Sequence, residues 1–189
     1  MRGLRLIGAL VLLAICFSGC IGKTQSDGKN SSLGDESAVS STKSGADYTT
    51  DTKIKEVISD PVFGDYGQLI FPVESAYYSG DTLGSLRLTW YNNMDPNKTV
   101  EIANYMKAHA ETGETIFYDI YTGEEKAKDP AKADTGLFFF KGKAGAKFAV
   151  CNAGGGFTYV GAMQDSFPHA LELSKKGYNA FALIYRPGA

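Results

Sequence analysis

The stretch KFAVCNAGGGFTYVG, Lys147 to Gly161, decides how the chain is to be read. A mostly apolar run ends in three consecutive glycines, Gly154, Gly155 and Gly156, and the aromatics Phe157 and Tyr159 follow. Triplicate glycine costs backbone entropy and packs nothing, so a bare connector explains it poorly. Its useful property is a main chain that turns sharply and lets another group approach its N–H donors.

The segments around it set the fold class. GLFFFKG (Gly136 to Gly142), AKFAVCN (Ala146 to Asn152) and YNAFALIY (Tyr178 to Tyr185) read as strands, as does TIFYDIYT (Thr115 to Thr122). YNAFALIY is apolar nearly throughout, the pattern of a strand buried on both faces of a parallel sheet. Between the last two strands, DSFPHALELSKKG carries Phe167, Ala170, Leu171 and Ser174 on one helical stripe. Ser166 is expected to cap this helix, Pro168 suits its first turn, Lys175 and Lys176 its negative end, and Gly177 the C′ position. Strand, glycine loop, helix and strand make a βαβ unit, so the fold class is α/β. Upstream, SLRLTWY alternates, with Leu86, Leu88 and Trp90 on one face of an expected strand. DPNKTVEIANYMKAHAETG reads as a helix capped by Asp95 and stopped by Gly113.

The N-terminus has a different character. Arg2 and Arg5 precede the apolar run Leu6 to Phe17, which is too short to span a bilayer and reads as a secretory signal ending in SGC at Cys20. That ending resembles the lipobox of bacterial lipoproteins, which implies lipidation of Cys20 and anchoring to the outer face of the cell membrane. Without the leader only Cys20 and Cys151 remain, so no disulfide framework forms within one mature chain. Residues 20–50 are rich in Ser, Thr, Gly, Asp and Lys and read as a solvated tether. The expected organisation is therefore a signal peptide over 1–19, a tether over 20–50, an extension with strand and helix over 51–113, and an α/β domain over 114–189. A net charge of −2, falling to about −4 without Arg2 and Arg5, makes no case for nucleic acid. Two histidines and Cys151 suggest no metal site.

Three uses of the glycines compete. A phosphate loop needs its glycines to open directly onto a helix, but FTYVGAMQ intervenes and neither G-x-G-x-x-G nor G-K-[ST] is present. A purely structural turn is the second. The third is an oxyanion hole, in which preorganised backbone N–H groups stabilise the charge that builds on a carbonyl oxygen during acyl transfer.

On FAVCNAGGGFTYVG, SFPHALELSKKGYNAF and the closing YRPGA, the chain from about Asp95 to Arg186 resembles the N-terminal half of bacterial α/β-hydrolase-fold esterases of the acetyl-esterase and hormone-sensitive-lipase-like group. Where many relatives have His or Pro before the glycines, this chain has Ala153. The resemblance implies a truncated hydrolase sheet and serine-esterase chemistry on small, short-acyl esters, acetylated carbohydrate among the candidates, with no cofactor. It implies oxyanion donors among the N–H groups of Gly154, Gly155, Gly156 and Phe157. Phe157 and Tyr159 would line the pocket, or else simply pack beneath the loop. The family's G-x-S-x-G nucleophile elbow, acid and His have no counterpart here and would lie beyond Ala189. Asp165, Ser166 and His169 cluster at a helix start, which suits capping better than catalysis. His109, near a helix end, reads as a surface residue. The rival expectation is a non-catalytic lipoprotein module that binds carbohydrate through Tyr77, Tyr78 and Tyr91, or a vestigial one.

Overall fold

The computed structural model describes residues 45–72, 74–89 and 93–188; the signal peptide, Cys20, Trp90 and Tyr91 lie outside the described residues. The centre is a four-stranded mixed sheet built from β3 (Phe117–Tyr118), β4 (Gly136–Phe140), β5 (Phe148–Asn152) and β6 (Asn179–Ile184) in the order β3-β4-β6-β5. β3 pairs antiparallel with β4 and β4 antiparallel with β6, whereas β5 runs parallel to β6. A small antiparallel pair, β1 (Tyr78–Ser79) with β2 (Arg87–Leu88), sits apart from it in sequence. The helices are α1 (Ile54–Ile58), α2 (Pro96–Glu111), α3 (Gly123–Lys128) and α4 (Ser166–Lys175), with 3₁₀ turns at Pro61–Ile70, Ser75–Tyr77 and Pro130–Asp134. The fold is thus α/β. Among the described residues no helix is long and apolar enough to cross a membrane.

Register explains the core. Phe138 lies opposite Ala182 and Phe140 opposite Ala180, so each large ring meets a small neighbour on one face of the sheet. Phe167 of α4 closes over both rings, at 5.1 Å from Phe138 and 5.8 Å from Phe140. All three are fully buried, and truncating such a ring to Ala costs about 3–5 kcal/mol. α2 adds Ile102, Ala103 and Met106 to this core, and its Tyr105 stacks on Phe140 at 5.2 Å. Gly136 has a packing reason: a Cβ there would fall 2.1 Å from the ring of Phe117, which stacks on Tyr66 at 4.8 Å.

The helix ends follow the sequence at α2. The Asp95 carboxylate accepts from the Asn97 N–H, and Gly113 takes φ +76° just past the end. At α4 the Gly177 stop holds, with φ +94°, but the cap differs. Asp165 occupies the N-cap without a capping side-chain bond, and the expected cap, Ser166, is buried with its Oγ unbonded among the described residues. An exposed cluster ties α4 to α2: Lys175 Nζ lies 2.5 Å from Glu101 and 2.8 Å from Glu172, and Lys98 Nζ reaches Glu172 at 3.0 Å.

Three expectations are corrected. The tether ends earlier than residue 50, because Tyr48 is buried and zipped onto α2, its N–H donating to Asn104 and its C=O accepting from the same side chain. Its hydroxyl donates to Asp60 at 2.5 Å, while Lys107 lies 4.5 Å over its ring and donates to the Ala46 C=O. Burial pushes the Asp60 carboxyl up, but the Tyr48 hydroxyl, the Val62 N–H and Lys107 together hold it below its ordinary value. Of residues 45–50, Tyr48 alone is buried. The strand expected over 115–122 shrinks to Phe117–Tyr118, since the chain turns at Asp119 toward the capping box of α3 at Thr122. β6 is buried on only one face, through Ala180, Ala182 and Ile184; Phe181 and Leu183 remain half-exposed on the other.

Among the described residues no element covers that other face. Tyr118, Phe139, Phe181 and Phe148 form an aromatic row across four strands, with Phe139 stacked on Phe181 at 4.8 Å and Phe148 at 6.4 Å from Phe181. β5 is one of the two edge strands, and its Phe148 is 71 % exposed and Val150 51 %. An apolar, unpaired edge templates further pairing. The chain is therefore expected to self-associate with rising concentration, and Val150→Lys to raise its soluble, monomeric fraction in light scattering; equal scattering from both proteins would show that association runs elsewhere. The α2–α4 cluster makes a separate prediction. The Lys175 and Lys98 ammonium groups hold the Glu172 carboxyl down from 4.5 to about 2. A depressed carboxylate favours the fold above its unfolded value and loses that advantage as pH falls through the folded one. Glu172→Gln should lower Tm slightly at neutral pH, as expected of an exposed, screened cluster, and the gap should close between about pH 4.5 and pH 2.

Candidate functional site

Parallel neighbours cannot be joined by a tight turn, so the chain between β5 and β6 must cross one face of the sheet. The crossover starts with the glycines. The Gly155 C=O accepts from the Thr158 N–H at 3.0 Å, and between them Gly156 and Phe157 have φ +60° and +61°. Positive φ at both central residues is a mirror-image β-turn, a conformation suited to Gly, Asn or Asp. Gly155 itself, at φ +156°, admits no side chain, because a Cβ would fall 1.7 Å from the Tyr159 carbonyl oxygen. Gly154 differs: its nearest obstacle is Asp165 Oδ2 at 3.7 Å.

Two side chains hold this loop from its flanks. The Gly154 N–H donates to Asp165 Oδ2 at 2.8 Å, which is where the carboxylate at the α4 N-cap is directed instead of onto its own helix. The Tyr185 hydroxyl, just past β6, donates to the Ala153 C=O at 2.9 Å. The loop closes with the Gly161 N–H on the Gly154 C=O at 2.9 Å. Ala153, which is buried, is thus braced by Tyr185 through its backbone. Half-burial and then the Asp165 charge push the Cys151 thiol up and the Tyr185 hydroxyl up, so both stay protonated near neutral pH.

The loop borders a cavity of about 600 Å³. Gly156, Phe157 and Tyr159 form one side; Leu69 and Tyr77 from the 3₁₀ turns upstream, with Phe71 just past the first, form another. Tyr77 stacks on Tyr159 at 5.1 Å and 16°. Tyr159 is buried, whereas Phe157 is 79 % exposed at the rim. The remaining wall follows β6: Ile184, Tyr185 and Arg186, with Arg186 paired to Asp129 at 2.6 Å. Ligands in α/β sheets lie outside the carboxyl ends of the parallel strands, and this cavity adjoins the residues that follow β5 and β6.

The donors expected from the sequence divide accordingly. The Gly154 N–H is occupied by Asp165, so it is not an open donor. Among the described residues the N–H groups of Gly155, Gly156 and Phe157 donate to no protein acceptor. Successive N–H groups in such a turn make an anion-binding nest. Among the described residues no nucleophile is assembled around them. Ser166 Oγ is buried, His169 is exposed with Nδ1 against the Asp165 C=O at 2.7 Å, and the two do not meet. His109 sits at the end of α2 as expected, and bonds Glu114 at 2.8 Å while its ring lies 4.2 Å from that of Tyr105 at a 39° tilt. Among the described residues no three His, Cys, Asp or Glu side chains group as metal ligands.

Asp165 and Tyr185 were not assigned to the site from sequence, and of the upstream wall only Tyr77 was named, for carbohydrate binding. Asp165 was visible only as a helix-start residue, and Phe71 and Tyr77 carry no spacing signal. Compared with known proteins, the chain matches no family model and shows no significant similarity to a curated protein or a solved structure.

The loop's geometry separates its residues by stability. Gly155→Ala should cost about 2–4 kcal/mol through the clash and the backbone strain, and Gly154→Ala no more than about 1 kcal/mol. Phe157→Asn should stabilise by about 1 kcal/mol, because Asn tolerates the left-handed turn that Phe resists. Urea unfolding of the three variants checks the order; equal costs at 154 and 155 would show that close approach does not hold the loop.

Proposed function

We propose that this chain supplies the N-terminal part of an exported, lipid-anchored serine esterase acting on short acyl esters, with acetylated carbohydrate among the candidate substrates. One observation carries the reading: a braced glycine turn with unengaged N–H groups at Gly155, Gly156 and Phe157 stands beside an aromatic-walled cavity next to the parallel strand pair. Donors fixed in advance cost no reorganisation when a carbonyl oxygen becomes negative, which is the main requirement of acyl transfer. In this reading the acyl or alcohol group lies against Tyr159 and Phe157, and the carbonyl oxygen meets the turn.

The open edge of β5 supports the same reading. In the resembled family the strand before the glycine loop pairs on its second side with the strand that leads to the nucleophile. Exposed Val150 and Phe148, and the aromatic face behind them, suit such a neighbour and its covering helices. The nucleophilic Ser would follow that strand, its acid and its His would come from farther along the chain, and acyl-enzyme chemistry would follow. Lipidation at Cys20 would hold the enzyme at the outer face of the membrane. The carbohydrate-binding alternative draws less support, because Tyr77 stacks on Tyr159 and Tyr78 packs toward Phe71 at 6.5 Å instead of forming an exposed platform.

The deciding experiment is to sequence the gene downstream of the Ala189 codon and assay both products. The reading expects an in-frame G-x-S-x-G, then an acid and a His, with ester turnover by the long product and none above buffer by this chain alone. A stop codon directly after Ala189 in the native gene would sink it.

A further inference from the structure

We propose that the cavity beside the glycine turn selects ligands carrying a positive charge on an apolar body, such as an alkylammonium group. The inference extends the esterase reading to the chemistry of its substrate, and rests on that reading only for what happens to a ligand once bound.

The cavity's walls are aromatic, through Phe71, Tyr77, Phe157, Tyr159 and Tyr185. Two carboxylates also line it, Glu74 and Asp134. Among the described residues neither side chain takes part in an ion pair or a hydrogen bond. The cations nearby are already committed. Arg186, which lines the cavity, is neutralised by Asp129 at 2.6 Å, and Lys132, on the same turn as Asp134, is held 4.7 Å over the ring of Tyr121.

Among the described residues the cavity lining therefore carries two carboxylates, exposed Glu74 and half-buried Asp134, that no cation pairs, beside aromatic walls. A concave site lined by one sign of charge focuses the field and concentrates ligands of the opposite sign. Aromatic rings favour the same ligands, since a cation is attracted to the ring face. An anionic ester would meet repulsion from both carboxylates, and a neutral one would gain only from apolar contact.

The test is equilibrium binding to the full chain by NMR titration, comparing trimethylammonioethyl acetate with its neutral carbon isostere, neohexyl acetate. The cationic ester should bind about tenfold tighter, a preference of the size that a partly desolvated cation–aromatic contact supplies. Added salt should shrink the preference. Glu74→Gln with Asp134→Asn should abolish it while leaving neohexyl acetate binding unchanged; neither residue belongs to the buried core, and the neutral ester reports that the cavity is intact. Equal affinity for the two esters, binding of neither, or a preference that survives the double variant would overturn the proposal. Turnover by the long gene product without a charge preference would leave the esterase reading standing and this inference refuted. A charge preference with no turnover would do the reverse.

Discussion

The parallel pairing of β5 with β6 is the constraint on which the rest depends. Antiparallel neighbours could have been joined by a hairpin, but a parallel pair obliges the chain to leave the end of β5 and return over one face. The return is α4, whose Phe167 closes the Phe138 and Phe140 core. The departure is the glycine turn. Loop and core are therefore parts of one crossover, and the Asp165–Gly154 bond joins the helix that packs the core to the turn that borders the cavity.

This arrangement gives the turn a rigidity that its composition conceals. Glycine-rich segments lose the most freedom on ordering. Here the lost freedom is offset by a close approach at Gly155, by hydrogen bonds at Gly154 and Ala153, and by closure through Gly161. The three N–H groups left over are held ready because their neighbours are not. Reserving donors in this way accounts for three glycines in a row better than a simple connector does.

Much of the crossover was legible in the sequence, because its signals are local. The Phe167, Ala170, Leu171 and Ser174 stripe, Gly177 after the helix, and the apolar strands on either side each depend on near neighbours. What escaped was the set of contacts made across the fold. Tyr48 looked like part of a solvated run because nothing beside it is apolar; its partners are Asn104 and Asp60. Asp165 reads as a cap by position, yet its carboxylate serves a backbone amide 11 residues earlier. The cavity's far wall comes from Phe71 and Tyr77, which share no spacing with the glycines they face.

Phe157 carries one more consequence. Its left-handed backbone and outward ring make it a residue that folding alone would replace. Protein engineers who optimise this chain for thermal tolerance, by computation or by selection for expression, would be drawn to exchange it for Asn or Gly early. They would gain a sturdier molecule and strip the aromatic rim from its cavity in the same step. A stabilised version of this protein should therefore fix position 157 before any other residue is allowed to vary.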